Sequence, residues 1–288
     1  MGIAREMTVA QDELQPDLHR VGARPPLWSY LREAWHRRDF AYAMARYKVQ
    51  ASNERNRLGM LWIVLQPMLN AAIYGTIFGI LQGDNAPEDF VPFVVIGVFL
   101  FSFFTGCMTS GAKSITGNAS LVQSLSFPRV TLPISIVLQQ LLNLVPTLGV
   151  MVVLLLVLGH FPRVEWLLML PLLVLYVLFC TGVALIGARL TVHVRDLTQF
   201  LPYISRIFFY TSGVLFDPER ILSSLPWLRA IYDYHPIHEV LSLARSFLMG
   251  YEGAQPIYWA YFAAWSVGML VVGLLFFWAA EERYGRGD

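Results

Sequence analysis

Few residues in this chain are placed to do covalent chemistry. His193, His235 and His238 are scattered, and His235-Pro236-Ile237-His238 with Glu239 beside it offers two imidazoles and one carboxylate, a weak set for a metal ion. There is no H-E-x-x-H, no G-x-S-x-G and no carboxylate pair at catalytic spacing. A phosphate loop is missing as well: Ala112-Lys113-Ser114 is the nearest approach, with Cys107 and Ala112 where G-x-x-x-x-G-K-[ST] needs glycine. Cys107 and Cys180 lie in apolar runs without metal-site spacing and read as small buried hydrophobes. No catalytic residue, metal set or bound cofactor is expected of this chain.

The remaining chemistry is non-covalent and belongs to polar groups set in oil. Arg206 is the sharpest: it lies ten residues after Asp196, roughly 15 Å along a helix, inside an otherwise uncharged run. A guanidinium at mid-bilayer costs at least ~2.5–3.5 kcal/mol, so it must face a cavity, a carboxylate or a phosphate, or else snorkel from a run that starts later. Gln139, Gln140 and Asn143 lie within a helical turn of one another; they serve either as glue between helices or as lining for a wet path.

The elements that must carry these groups are long and apolar. Residues 58–82, 90–112, 130–159, 166–188 and 257–280 contain no Asp, Glu, Lys or Arg, and 197–216 is interrupted only by Arg206. About 20 apolar residues cross ~30 Å of hydrocarbon. With 56% hydrophobic residues in 288, the chain can supply six such spans and little else. The expected fold is an all-α membrane protein: a disordered tail over 1–26, an amphipathic interface helix and linker over 27–57, six spans over 58–280, and a short tail over 281–288. No cleavable signal peptide is visible in the polar first 25 residues.

A net charge of +1 hides a strong asymmetry. Arg20, Arg24, Arg32, Arg37, Arg38, Arg46, Lys48, Arg55 and Arg57 precede the first span, whereas the next loop carries Asp84, Glu88 and Asp89 and no base. Lys113 and Arg129, Arg189 and Arg195, and Arg283 and Arg286 then fall on one side of a six-span chain. Basic residues in short loops stay cytoplasmic, so both termini are expected inside and 217–256 outside. Trp28, Arg32, Trp35, Arg37, Arg38 and Arg46 suit a helix in the membrane interface; docking on a partner protein is the alternative. Lipid phosphate matches this basic, Trp-studded stretch better than nucleic acid does.

Two connecting segments stand out. Residues 113–129 hold enough helix former for a short helix that Phe127-Pro128 stops; it serves as a docking element for a cytoplasmic partner or as a plain connector. Residues 217–256 are too apolar for a flexible loop, and Pro226 and Pro236 divide them into two short helices at the outer face, a gate or a static cap.

These pieces together resemble a known family. Arg46-Tyr47, then Leu58-Gly59-Met60-Leu61-Trp62 and Gln66-Pro67, resemble the opening of the type-2 ABC transporter permeases that export polysaccharides. Gly117–Val122 with Phe127-Pro128-Arg129 and Leu132-Pro133, Arg195-Asp196, and His235-Pro236 followed by Arg245 are similar to later motifs of the same permeases. The likeness covers about residues 27–280. Three departures are visible: a longer, charged link over Lys48–Arg57, Ser212-Gly213 in place of Ser-Pro, and His235 in place of Asn.

The resemblance implies a non-enzymatic permease subunit of the bacterial inner membrane. It implies a homodimer resting on two copies of a cytoplasmic ABC ATPase, which uses ATP and Mg. The cargo implied is a polyprenyl-diphosphate-linked glycan of O-antigen, teichoic acid or galactan type; a drug or antibiotic exporter of the same architecture is the alternative. Asn118, Leu121, Val122, Gln123, Leu125 and Phe127 then correspond to the ATPase-coupling segment. Phe99, Phe103, Tyr203, Arg206, Phe209 and Tyr210 are candidates for the substrate path. Trp227, Tyr232, Tyr234 and Arg245 are candidates for the outer gate.

Overall fold

The computed structural model describes residues 25–54, 58–82, 89–125, 127–218 and 226–281, and no strand occurs among them. Expectations placed on residues 1–24, 55–57, 83–88, 126, 219–225 and 282–288 lie outside the described residues. Two amphipathic helices come first, α1 (Leu27–His36) and α2 (Arg38–Glu54), followed by the long apolar α3 (Leu61–Gln82) and α4 (Phe90–Ala112). A 3-10 turn at Thr116–Asn118 leads into the six-residue α5 (Ala119–Ser124), and then come α6 (Thr131–Val157) and α7 (Met169–His193). The chain ends in α8 (Leu197–Thr211), α9 (Pro226–Tyr232), α10 (Pro236–Met249) and α11 (Tyr258–Trp278).

Five helices, α3, α4, α6, α7 and α11, are long and apolar enough to cross a membrane. The expected sixth crossing is different. The helix over 197–216 stops at Thr211 after 15 residues, roughly 22 Å, short of the hydrocarbon thickness. Gly213, with φ of +72°, then reverses the chain in a backbone region that disfavours any side chain, which is the physical role of glycine in the Ser212-Gly213 step. Pro67 and Pro146 are accommodated inside helices, as membrane bundles allow. Pro226 and Pro236 begin α9 and α10 rather than interrupt one segment, since the first helical position needs no N–H donor.

The expected single interface helix is two. The break falls at Arg37, between α1 and α2. Trp28 and Trp35 are 81% and 68% exposed and Arg32, Arg37, Arg38 and Arg46 point outward, but Tyr30, Ala41 and Ala45 are buried. The small side chains at 41 and 45 let α2 lie along α6.

Helix α4 is the hub, with α3, α6, α7, α8 and α10 all packed on it. Its wall of Phe93, Phe99, Phe103 and Phe104 forms the larger core with Tyr176, Phe179 and Phe262 from α7 and α11. A second, smaller core lies apart and joins Tyr30 of α1, Val122 of α5, Phe127, Val130, Leu185 of α7 and Phe277 of α11. Through it the first and last described residues meet: Trp278 Nε1 donates to the Pro25 carbonyl at 2.9 Å and Tyr30 Oη donates to Glu281 at 2.7 Å. Glu281, expected to begin a free tail, is only 5% exposed.

Helices α7 and α11 make the closest crossing. A Cβ on Gly182 would fall on the Met269 carbonyl, and one on Gly273 would lie 2.7 Å from the Gly182 carbonyl. Small residues allow such backbone approach where lipid supplies no hydrophobic drive between helices. Gly182→Val should therefore destabilise the bundle by about 1–3 kcal/mol, read as a lower thermal midpoint in detergent, whereas Gly149→Ala, at an open position, should leave it unchanged.

Candidate functional site

Helices α3, α4 and α6, with Phe209 of α8, enclose a groove of about 540 Å³. Its polar wall follows helical periodicity. Gln66 and Asn70 of α3 are four apart, Ser102, Thr105, Gly106 and Thr109 of α4 span two turns, and Gln140, Asn143 and Thr147 of α6 do the same. Each set therefore occupies one face. Trp62, Tyr74, Phe99, Phe101 and Phe103 supply aromatic surface beside them, and among the described residues no Asp, Glu, Lys, Arg or His lines the space. The groove offers amide and hydroxyl groups without charge, surrounded by apolar helices.

Most of these hydroxyls use their proton on their own helix. Ser102 Oγ donates to the Val98 carbonyl at 2.7 Å, Thr109 Oγ1 to Thr105 at 2.7 Å and Thr147 Oγ1 to Asn143 at 2.9 Å. Thr105 Oγ1 and the Asn143 side-chain oxygen are buried and have no hydrogen-bond partner among the described residues. Buried polar atoms are rarely left alone, so each calls for a partner that the described residues do not supply in this arrangement. Gln140 is held against Gly106, where an added Cβ would meet its side chain. The three amides at 139–143 thus divide: Gln140 and Asn143 face the groove, and Gln139 does not line it.

The expected path residues separate in the same way. Phe99, Phe103 and Phe209 line the groove. Phe209 packs on Tyr74 and Phe101, with ring centroids 5.0 and 5.2 Å apart, so α8 is pinned to α3 and α4 by its inner face. Tyr203, Arg206 and Tyr210 lie on the opposite, exposed face of α8 with Gln199 and Ile207. The Arg206 guanidinium stands 6.0 Å from the Tyr203 ring and makes no ion pair among the described residues. The structure does not bring these three into the groove.

At the far end from the smaller core, Arg245 is not a gate surface. It is 1% exposed and donates to three carbonyls: Nε to Phe93 at 3.2 Å, Nη1 to Gly213 at 3.0 Å and Nη2 to Val214 at 3.1 Å, with the Phe93 ring against the guanidinium. It fastens α10 to the start of α4 and to the turn that ends α8. Gly97 leaves the room for it, since a Cβ there would lie 2.6 Å from Nη2. Burial pulls the guanidinium down to about 9, which leaves it charged at neutral pH. Trp227 and Tyr234 are exposed and Tyr232 is half-buried, stacked on His235.

His235 explains its own departure from asparagine. Its Nδ1 accepts from the His238 N–H at 3.3 Å and so caps α10, the task an Asn oxygen performs at a helix start. Burial lowers the His235 pKa, which keeps that nitrogen a free acceptor. His238 and Glu239 are buried beside it, and burial pushes the Glu239 carboxyl up to about 8. No cluster able to hold a metal ion occurs among the described residues.

On the side of the smaller core, α5 divides into anchor and face. Val122 and Phe127 are buried, Phe127 against the Phe40 ring at 5.5 Å, and Asn118 Nδ2 donates to the Ser114 carbonyl at 2.6 Å. Gln123 and Leu125 are exposed and Leu121 half-exposed. Of the six residues assigned to docking, three hold the element in place and three form its outer face.

The ABC-2 type transporter family pattern matches residues 42–249, most of this length. The chain belongs to that family. It is similar to the O-antigen export system permease protein RfbA of Klebsiella pneumoniae, 29% identical over 250 residues that cover 86% of this chain and 94% of the relative. A second such protein, from Myxococcus xanthus, is 26% identical over 66% of this chain and 73% of its own length. The polysialic acid transport protein KpsM of Escherichia coli is 25% identical over 78% of this chain and 87% of its own. The family is one of transporter permease subunits, so the chain is not itself an enzyme. These relatives favour a polysaccharide exporter over a drug exporter.

Sequence reasoning missed Gln66 as a wall, Asn70, Thr105, Thr109 and Thr147. Their spacing on one helical face was a usable signal. Arg245 should tolerate replacement poorly: Arg245→Ala removes three buried hydrogen bonds made by a charged donor, at about 1.5–3 kcal/mol each, so the thermal midpoint should fall more than for Arg206→Ala on the exposed face of α8.

Proposed function

We propose that this chain is one of two identical permease subunits of an ATP-driven exporter of lipid-linked polysaccharide in a bacterial cytoplasmic membrane. The observation that carries the reading is the uncharged groove. A glycan presents many hydroxyls and apolar sugar faces, and the groove offers neutral donors and acceptors together with aromatic rings that stack without demanding one sugar. An amphipathic cation would call for a carboxylate, and among the described residues none lines this space. The names of the relatives lean the same way.

In this reading the chain crosses six times, α8 with the turn after it serving as the fifth passage. The contact between Tyr30 and Glu281 supports an even number of crossings, because it brings both ends of the described chain to one side. The basic loops put that side in the cytoplasm. Helices α9 and α10 then sit at the outer face as the gate, held by Arg245. The outward apolar faces of α3 and α8 meet a second copy, so that Tyr203, Arg206 and Tyr210 enter the shared path and Arg206 meets the diphosphate. Trp28 and Trp35 anchor α1 in headgroups while Arg32, Arg37, Arg38 and Arg46 gather anionic headgroups at the inner leaflet. The outer face of α5 seats in the partner ATPase, whose closure on ATP rocks the helices.

Two experiments test separate parts. Leu121→Asp with Leu125→Asp places charge on the docking face while leaving the Val122 anchor; co-purification with the ATPase should weaken about 10–100-fold and glycan export should stop, and unchanged export would refute the docking role. Thr105→Val with Asn143→Leu removes the two unpartnered polar atoms; folding should be kept or improved, and the rate at which pulse-labelled glycan reaches the outer face should drop about tenfold. Unchanged export from a well-expressed double variant would remove the groove from the path.

A further inference from the structure

We propose that Glu281, at the cytoplasmic end of α11, is a positioning residue that ties the proposed docking helix to the first and last helices, so that all three move as one body. The inference rests on the docking role of α5 given above. The geometry is specific. One carboxylate oxygen of Glu281 accepts from Tyr30 Oη of α1 at 2.7 Å, and the other accepts from the Arg129 N–H at 3.1 Å. Arg129 Nη1 donates to the Glu281 carbonyl at 3.1 Å and lies 3.4 Å from its carboxylate. Tyr30 Oη closes the ring by accepting from the Val130 N–H at 3.0 Å. Thus one buried side chain binds the segment between α5 and α6 through two successive backbone N–H groups, one directly and one through a tyrosine.

The burial argues for a mechanical purpose. Glu281 is 5% exposed and Tyr30 2% exposed, and the Arg129 side chain is largely covered. Burial pushes the Glu281 carboxyl up, while the bonds from Tyr30 and Arg129 pull it back down. A buried, charge-assisted network has few alternative arrangements and resists stretching more than apolar contact alone. Around it sit Val122, Phe127, Val130 and Phe277, so the docking helix, the start of α6 and the end of α11 share one small core. Without the clasp, a push on α5 would reach α4 and α6 through the chain and the remaining helices through apolar contact alone. With the clasp intact, the push is also delivered to α11 and, through the close crossing at Gly182 and Gly273, to α7. Helix α1 moves with them.

The test uses the complete transporter, this chain with its own ATPase, in the bacterium that carries it. Glu281→Gln removes the charge, Tyr30→Phe removes one hydroxyl while keeping the ring packing, and Glu281→Asp keeps the charge. Three quantities are read: ATPase recovered with the permease, ATP hydrolysed by membrane vesicles, and pulse-labelled glycan reaching the cell surface. Expected for Glu281→Gln and Tyr30→Phe are retained ATPase and hydrolysis within about twofold of the unaltered protein, with glycan delivered per ATP lowered about tenfold; Glu281→Asp should recover part of the loss. If glycan and hydrolysis fall together by one factor, the residue merely holds the fold and the proposal is overturned. An unchanged yield per ATP in Tyr30→Phe overturns it too, including where Glu281→Gln fails to accumulate. The Leu121→Asp, Leu125→Asp variant is run beside them. If it keeps its ATPase and its export, the docking reading has failed, whereas the clasp has failed if that variant is dead and the clasp variants deliver normally.

Discussion

Hydrocarbon offers no hydrogen-bond partner, and the architecture of this permease follows from that. Every polar group carried into the bundle must be satisfied by the protein or must open onto a wet space. Ser102, Thr109, Thr147, Thr181 and Ser266 donate back to carbonyls on their own helices. Tyr176 reaches the Leu100 carbonyl on α4. Arg245 is surrounded by three carbonyls and a ring face. The rule has exceptions: Thr105 and Asn143 at the groove, and Ser205, Ser212 and Glu239 away from it, carry buried polar atoms with no hydrogen-bond partner among the described residues.

The same constraint separates the molecule into two cores with different tasks. The larger, built on the Phe wall of α4, holds the helices together and shapes the groove. The smaller gathers α1, α5 and the ends of α7 and α11, where charged and polar side chains can be recruited because water is near. Glu281, held by Arg129, binds Tyr30 and through it Val130 of the second, and Arg245 plays the corresponding part beside Phe93 in the first. Helix α5 is thus seated through Val122 in a core separate from the Phe wall.

The departures from the family pattern are local substitutions of means. His235 caps α10 with an imidazole nitrogen where the motif has an amide, and Gly213 turns the chain where the motif has proline. Arg245 closes on the Gly213 carbonyl at that turn.

Composition and hydrophobic run length determined that the chain is helical, enters a membrane, and carries a short helix between its second and third spans. They did so because solvation by lipid depends on the count of apolar residues in a row and little else. The helical spacing of Gln66 and Asn70, and of Gln140, Asn143 and Thr147, was equally legible, though only their shared face was. Which faces meet was decided by tertiary structure: α8 turns Phe208 and Phe209 inward and Tyr203, Arg206 and Tyr210 outward, a choice that depends on the shape of α4. Arg245, an outer-gate candidate, is buried and bonded to three carbonyls, and Glu281, expected to begin a tail, is buried and bonded to Tyr30 and Arg129. Both are bonded across more than thirty residues of chain, to carbonyls and N–H groups that every sequence contains and none reveals.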